Sequence, residues 1–286
     1  MNELKNKIDF AAIVWVEDAN PNGNRPRQTY EGYGEISDVC IKRKVRNRLQ
    51  DMGEKIFVQS DERVDDGCKS LLDRAKSNDE MQKALKAKNE EECKRIACAG
   101  WIDVRSFGQV LAFKGEKKGK GKEKGDSVGI KGPVTIHSAF SVEPIDIDSI
   151  QITKSVNNET QDKKSSDRMG MKHKVHAAMY IIKGSINTQL AEKTGFSNAD
   201  AEKIKEALRT LFVNDSSSAR PDGSMEVYKI YWWKHNCPMG QYSSAKVHKL
   251  LKVSVKEGVQ DPKEVEDYDI ILDSLPGLEV EEIEGM

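Results

Sequence analysis

Hydrophobic and polar positions along this chain form blocks that predict strands separated by helices. Residues 8–16 are almost all apolar, rich in β-branched and aromatic side chains, and too few to span a membrane, so they are predicted to form a buried strand. After the N-cap candidate Ser37, apolar side chains recur at spacings of three and four through residues 38–52, which predicts an amphipathic helix. Ser197 and Asp200 have the spacing of a capping box and predict a second helix.

Further strand-like runs predict the remainder of a sheet. They occupy residues 55–59, 101–113, 130–136, 140–144, 150–156, 168–183, 226–234 and 268–272. Strand–helix–strand followed by strand–helix–strand is the ferredoxin-like arrangement of RNA-recognition modules, so we predict an α+β fold with such a core, which presents nucleic acid on its sheet face. We expect a single RRM-like domain over residues 1–286, with a helical insertion at about 59–100 and a protruding β-hairpin at about 148–175.

Net charge changes this picture only when it is divided along the chain. The sum is −1, but residues 257–286 hold eleven acidic residues and one lysine, which leaves 45 basic against 36 acidic residues over 1–256. An acidic C-terminal segment on a basic body points to a polyanionic partner. A merely solubilising tail explains the same asymmetry, and an acidic edge could also meet the basic face of a neighbouring copy.

Cysteine usage and hydropathy indicate the compartment. The five cysteines are an odd number at irregular spacings, which suits reduced thiols better than a disulfide framework. Neither a secretory signal nor an apolar stretch long enough for a membrane span is found. We therefore expect a cytoplasmic protein with no membrane partner.

The loop after the first strand, residues 20–27, combines an Asn-Gly step with two arginines. The step Asn22-Gly23 allows backbone with positive φ and exposed amide donors. Arg25 and Arg27 can each bind phosphate oxygens through two parallel N–H groups. The loop therefore has the composition of a phosphate-binding segment.

The predicted helix after this loop carries a row of cations beside its apolar stripe. Lys42, Arg43 and Arg46 gather on one neighbouring face at about 100° per residue. Because anions are favoured at a helix N-terminus, the loop and the helix together predict a surface that follows a phosphate backbone. A solvated amphipathic helix without a ligand is the alternative.

The hairpin predicted at about 148–175 carries methionines next to cations. Met169 and Met171 lie beside Lys172 and His173 on the returning strand. An apolar side chain can separate stacked bases while cations hold the backbone, so this hairpin is a candidate for nucleic-acid binding. An exposed hairpin with incidental methionines is the alternative.

Other candidate chemistry in the sequence is weak, and we predict neither a metal nor a cofactor. His173 and His176 are three residues apart in a lysine-flanked, extended stretch, where side chains at odd spacing point to opposite faces. Cys93 and Cys98 lack the two-residue spacing of a zinc knuckle. The lysine- and glycine-rich residues 114–125 do not match a phosphate-binding P-loop and are expected to form a mobile solvated loop, whose lysines could attract nucleic acid.

Two segments carry a family resemblance. Residues 20–27, NPNGNRPR, and 32–47, GYGEISDVCIKRKVRN, closely resemble the guide-RNA-binding backbone subunit of type I-C CRISPR Cascade complexes, the Cas-seven family of Csd type. Further matching segments extend the likeness over nearly the whole chain. The resemblance implies a non-catalytic subunit that polymerises along the crRNA of a surveillance complex and presents it for pairing with invading DNA in prokaryotic antiviral defence.

The resemblance also implies partners and assigns the hairpin as the thumb that kinks the guide RNA at regular intervals. The partners would be crRNA, target DNA through the guide, further copies, a repeat-handle-binding processing subunit, a large subunit and a small subunit. The expected RNA contacts are Asn22, Gly23, Asn24, Arg25, Arg27, Lys42, Arg43, Arg46, Met169, Met171, Lys172, His173 and Arg220. Charge reversal at Lys42 and Arg46 is expected to abolish assembly on RNA and leave the fold intact.

Two other functions stay open at this point. Related type III backbone subunits use an acidic residue near such a loop to cut target RNA, so the first alternative is a metal-dependent endoribonuclease of the same fold that uses Asp18. The second alternative is an interaction module that binds no RNA.

Overall fold

A computed structural model of the protein describes residues 3–23, 25–112, 127–153 and 169–286. Three predicted features therefore lie outside the described residues: Asn24, the lysine- and glycine-rich residues 114–125 and the hairpin tip at 157–167. The strands are β1 (Ile8–Ala19), β2 (Arg27–Gln28), β3 (Tyr33–Ile36), β4 (Gly108–Ala112), β5 (Ser127–Lys131), β6 (Val134–Ile136), β7 (Ala139–Pro144), β8 (Ile147–Thr153), β9 (Met169–Ile186), β10 (Met225–Lys234), β11 (Leu251–Val255), β12 (Tyr268–Leu272) and β13 (Glu279–Glu284). The helices are α1 (Asp38–Asp51), α2 (Leu71–Ser77), α3 (Asp79–Lys86), α4 (Glu90–Gly100), α5 (Ile102–Phe107), α6 (Thr188–Thr194), α7 (Asn198–Arg209) and α8 (Ser244–Val247).

A nine-stranded antiparallel sheet with helices packed against it forms the centre of this mixed α and β fold. Its strand order is β13-β10-β1-β9-β7-β3-β2, and β6 and β8 also pair with β9. The predicted strand at residues 8–16 is the buried part of β1, which pairs with β10 on one side and β9 on the other. Because successive side chains of a strand point to opposite faces, β1 supplies apolar residues to both faces of the sheet.

Two helices cover one face of the sheet. Helix α1 begins where the Ser37 hydroxyl accepts the Cys40 N–H at 3.3 Å, and its Ile41, Val45 and Leu49 are fully buried. Burial of each such side chain contributes about 1.5–3 kcal/mol. Helix α7 begins with the predicted capping box of Ser197 and packs beside α1 in the same core.

The opposite face of the sheet is covered as well. Residues of α8, β11 and β12 pack there against Trp15, Met179 and Trp233, and the Tyr268 ring meets the Trp15 ring edge-on at 6.1 Å. The central strands therefore have no open face on which nucleic acid could lie, in contrast to the sheet-face binding expected from RNA-recognition modules. None of the helices in the described ranges is both long and apolar enough to cross a bilayer.

One predicted strand is wrong and a second is helical in its first half, and one buried carboxylate lies at both places. Residues 55–59 form no strand, because the N–H groups of Phe57 and Val58 donate to the Asp103 carboxylate at 2.7 and 3.0 Å. Asp103 belongs to helix α5, which occupies the first half of the run 101–113 that was predicted to be extended. The helix ends at Gly108 with φ of +79°, and β4 follows.

His235, which follows β10, is buried beside β1. Its Nδ1 accepts the Gln241 N–H at 3.0 Å, so the ring proton sits on Nε2, which donates to Asp9 at 2.8 Å. Asp9 is fully buried and also lies 3.4 Å from the Lys7 ammonium. This network joins the start of β1 to the end of β10.

A second buried histidine makes stability depend on pH. The Nε2 of His248 lies 2.9 Å from the Gly184 carbonyl, with the His137 ring 5.9 Å away. Burial is the main cause that lowers the pKa of His248, and the nearby His137 and Lys183 lower this pKa further. The Gly184 carbonyl and Asp9 partly offset the decrease. Because the folded-state pKa lies below the ordinary 6.5, the unfolded chain binds more protons in this range.

We therefore expect the free energy of unfolding to fall as the pH drops from about 6.5 towards the lowered pKa. In His248→Gln, which keeps a donor for Gly184 without a titrating ring, urea unfolding at about pH 7 and about pH 5 should differ less than in the wild type. The control is His176→Gln, since His176 is exposed. Equal pH dependence in all three proteins would contradict the role of His248.

Candidate nucleic-acid interface

The loop between β1 and β2 is held in place by its own asparagines. The buried Asn20 donates its amide to the Gly23 carbonyl at 2.6 Å and accepts the Asn22 N–H at 3.2 Å. The Asn22 side chain donates to the Glu35 carbonyl at 2.5 Å and accepts the Ser37 N–H at 3.0 Å. Asn22 thus ties the loop to the N-terminus of α1, and because its N–H is also engaged by Asn20, only its carbonyl remains for the predicted contact.

Beyond these asparagines the loop faces solvent. Gly23 has φ of +109°, and a Cβ at this position would have no neighbour within 4 Å. Arg25 is exposed and makes no hydrogen bond or ion pair with another described residue. Arg27 is also exposed, and its Nε lies 3.3 Å from the Glu35 carboxylate. Such a surface pair contributes about 0–1 kcal/mol, so a phosphate can compete for Arg27.

The predicted row of cations on α1 is engaged with the protein itself. Lys42 pairs with Asp38 at 3.0 Å, and Arg43 donates to the Val58 carbonyl at 2.6 Å. Burial, followed by the nearby Arg46, lowers the pKa of Arg43. Arg43 and Arg46 both point towards residues 55–107, the segment that contains α2–α5.

Arg46 is the most strongly engaged cation of this row. Its Nε lies 3.1 Å from the fully buried Asp103 carboxylate, and its guanidinium stacks over the Phe107 ring at 5.1 Å. Arg46→Glu would bring a second carboxylate against Asp103. The expectation that charge reversal at Lys42 and Arg46 leaves the fold intact is therefore wrong for Arg46.

Arg220 lies in a cluster of charges that joins loop 216–223 to α1. Its Nε is 3.0 Å from the Asp215 carboxylate, which also pairs with the buried Lys44. The Lys44 ammonium lies 5.4 Å from the centre of the Phe212 ring, and burial lowers its pKa. The helix pattern placed Lys44 at the edge of the apolar stripe and gave no sign that it would be buried.

The predicted hairpin is formed by β8 and β9, and it has two different faces. The register pairs Thr153 with Met169 and Gln151 with Met171, and these residues share one face. Met169 and Met171 are 63% and 54% exposed. The His173 ring lies on the same face, where its Nδ1 is 2.8 Å from the Ser149 hydroxyl.

The other face of the hairpin carries different side chains. Ile150 lies opposite Lys172, and Ile152 lies opposite Gly170. The two isoleucines are 47% and 50% exposed. Lys172 therefore points away from the methionine face, although it is adjacent to Met171 in sequence.

Three possible metal ligands meet where this hairpin leaves the sheet, a grouping that the sequence did not reveal. Asp18, Asp148 and His176 have ligand atoms within 4.8 Å of one another. The Lys174 ammonium pairs with Asp18 and supplies positive charge at the place where a cation would have to sit. His173 lies on the opposite face of β9 from His176, as expected from their odd spacing.

Strand pairing brings the loop and the hairpin to one end of the sheet. Glu17 pairs with Ala177, and Ala19 pairs with Val175, so loop 20–27 starts beside the base of the hairpin. This end of the sheet presents exposed apolar side chains together with exposed arginines. Arg43 and Arg46 are not part of this group. Arg220 lies close to it, because the carbonyl of the preceding Ala219 accepts the Asn20 N–H at 2.8 Å, but its guanidinium is paired with Asp215.

Comparison with known proteins gives a family match over most of the chain. A family model described as CRISPR-associated protein Cas7 matches residues 6–273. A Haloferax volcanii protein described as CRISPR-associated protein Cas7 is 24% identical over 230 residues, which are 74% of this chain. The match spans 66% of that relative, slightly less than two thirds of its length.

Two solved structures are also similar. One is a chain of a "CRISPR RNA-guided surveillance complex, pre-nicking", with a TM-score of 0.48, 17% identity and coverage of 79% of this chain and 75% of that chain. The other belongs to a "CRISPR RNA-guided surveillance complex", with a TM-score of 0.42, 15% identity and coverage of 79% and 68%.

Proposed function

This chain belongs to the CRISPR-associated protein Cas7 family, and from that membership we propose that it is a non-catalytic backbone subunit that binds crRNA. Several copies line up along one guide RNA of a surveillance complex, hold its phosphates and leave its bases free to pair with invading DNA. The likeness of residues 20–27 and 32–47 to Csd-type subunits supports assignment to type I-C. Its partners are then further copies, target DNA, and the processing, large and small subunits of that complex.

One observation carries this proposal: exposed apolar side chains and exposed arginines meet at one end of the sheet. Met169 and Met171 project from one face of the hairpin, and the base of the hairpin at Val175 pairs with Ala19, where the loop that carries Arg25 and Arg27 begins. Apolar side chains that separate bases, combined with cations that hold the backbone, suit a single-stranded nucleic acid. Neither element reads base edges, so binding tolerates any sequence.

The proposed contacts divide into two groups. Direct contacts come from the loop and the hairpin: the backbone at Asn22, Gly23 and Asn24, together with Arg25, Arg27, Met169, Met171, Lys172 and His173. Lys42, held only by a surface pair with Asp38, can join them. Arg43, Arg46 and Arg220 act instead by holding α1 against the insertion and loop 216–223.

We also interpret the sheet as a ferredoxin-like core with additions. The order β10-β1-β9-β7, antiparallel throughout and covered by α1 and α7 on one face, supports this interpretation. On this view the hairpin of β8 and β9 is the thumb. The β11–β12 pair closes the face that RNA-recognition modules leave open.

Binding of purified protein to two labelled RNAs of equal length and unrelated sequence tests the proposal. We expect equal affinities that fall steeply with salt, because phosphate contacts release counterions from the strand. Arg25→Ala with Arg27→Ala should reduce the slope of log affinity against log salt by about 0.7 per cation. Lys69→Ala with Lys76→Ala, on and beside α2, is the matched control and should leave the slope unchanged.

Failure to bind either RNA at low salt would contradict the proposal and favour an interaction module. Adding magnesium to the same samples tests the endoribonuclease alternative. RNA should remain intact with the wild type and with Asp18→Ala. Cleavage that needs magnesium and disappears in Asp18→Ala would show that the protein is an enzyme.

A further inference from the structure

One cleft among the described residues lies away from the hairpin and carries an excess of positive charge. It has a volume of about 1090 Å³ and is bounded by α4, β5, α6 and the first turns of α7. Six cations line it, against two acidic residues, Glu91 and Asp200. The cations are Lys94, Arg95, Arg105, Lys131, Lys193 and Lys203.

Two of these cations are available to a ligand. Lys131 and Lys193 are exposed and make no hydrogen bond or ion pair with another residue that the structure describes. Lys94 pairs with Glu91 at 2.7 Å within α4, and such a surface pair contributes little. The other three cations are paired as well. Arg105 donates to both oxygens of Asp200, Arg95 donates to both oxygens of Glu92, and the Lys203 ammonium lies 2.5 Å from the Glu54 carboxylate.

The floor of the cleft indicates the class of ligand. Cys98, Ile130 and Leu190 line it between the cations. A phosphodiester backbone would place its charged oxygens against these apolar groups, which desolvates charge without compensation. An acidic protein segment with some apolar side chains suits this cleft, because its carboxylates can pair with the cations and its apolar side chains can contact the floor.

The chain itself contains such a segment. The turn 256–267 between β11 and β12 holds five acidic residues and two lysines. Glu257 and Glu266 are exposed and pair with no other described residue, and Val259 and Pro262 supply apolar surface. The turn belongs to the layer opposite α7, so the cleft and the turn lie on opposite sides of the sheet.

We propose that the acidic turn 256–267 of one copy docks into the basic cleft of the next copy. Patches on opposite sides of one molecule make a head-to-tail contact, which produces an open array instead of a closed dimer. Complementary charge fixes the register between copies. The inference deepens the proposed function by naming the surfaces that join adjacent subunits.

Charge-reversal variants test this contact. The cleft variant carries Lys131→Glu and Lys193→Glu, and the turn variant carries Glu257→Lys and Glu266→Lys. Both variants should bind an oligouridine that accommodates only one copy with the affinity of the wild type. Unchanged binding to this short RNA would also show that the variants fold. On poly(U), each alone should assemble with cooperativity lowered about tenfold.

Two combinations make the test specific. In a mixture of the two variants, each wild-type turn meets a wild-type cleft and each reversed turn meets a reversed cleft. The mixture should therefore form alternating arrays, although neither variant forms them alone. All four changes in one chain should restore long arrays. Lys69→Glu with Lys76→Glu applies the same charge change outside the cleft and should leave assembly unchanged.

Three results would overturn the inference: unchanged assembly of the cleft variant, no recovery in the fourfold variant, or equal loss of binding to short and long RNA by the cleft variant. The last would identify the cleft as a nucleic-acid site. If the wild type binds neither RNA, the proposed function fails, and the same variants are compared by sedimentation at low salt without RNA. Absence of association there would overturn the contact independently.

Discussion

Replacing Asp103 by alanine is expected to lower the free energy of unfolding by about 3–5 kcal/mol, because it breaks a buried charge network. The fully buried carboxylate accepts the N–H groups of Phe57 and Val58 and pairs with Arg46. Without the Asp103 carboxylate, the N–H groups of Phe57 and Val58 and the Arg46 guanidinium lose their acceptor at a largely buried position. The packing of residues 55–58 against α5 then has no polar support.

Urea unfolding followed by circular dichroism measures this effect. Asp103→Asn keeps one acceptor and the side-chain volume, so its loss of stability should be intermediate. Asp79→Ala, at the exposed start of α3, is the matched control and should change stability by about 0.5 kcal/mol or less. A loss below about 1 kcal/mol in Asp103→Ala would contradict the structural role of this network.

Replacing Met169 and Met171 together by serine is expected to reduce RNA affinity by about tenfold to a hundredfold. The estimate takes about 1–3 kcal/mol in total for one base that contacts the two side chains. Both side chains are more than half exposed, so their loss should leave the thermal unfolding temperature unchanged. The measurement is filter binding of a labelled single-stranded RNA at fixed salt.

The hairpin offers a closely matched control for this experiment. Ile150→Ser with Ile152→Ser removes apolar side chains of similar exposure from the opposite face of the same two strands. Affinity in this control should remain within about twofold of the wild type, a change of less than 0.5 kcal/mol. Equal losses in both double variants would mean that the hairpin contributes through its shape, and the methionine face would have no special role.

Local sequence patterns correctly predicted the strands and helices that are specified by interactions within the same segment. The run 8–16, the Ser37 cap and the capping box at Ser197 appear in the structure where apolar periodicity and capping chemistry predicted them. The errors at 55–59 and 101–107 have a different origin. There Asp103 supplies the acceptors that a neighbouring strand would have supplied, and no periodicity in either segment reveals such a long-range partner.

The candidate site follows the same division. Composition alone identified Arg25 and Arg27 in the loop and the methionines of the hairpin, because their exposure follows from local structure. A helical wheel could not show that Arg43 and Arg46 face an insertion instead of solvent. Asp18, Asp148 and His176 come together only through the register of the strands that carry them. Their proximity therefore could not be predicted from the separate segments of the sequence.

The register of the β4–β5 pair also bears on how this protein can diverge among its relatives. Ala112 lies directly opposite Ser127, so the sheet already brings together the two ends that residues 113–126 connect. Closing a longer or shorter segment between fixed ends changes the free energy only slowly with length. The number of residues between these two ends can therefore change with little effect on the stability of the rest of the molecule.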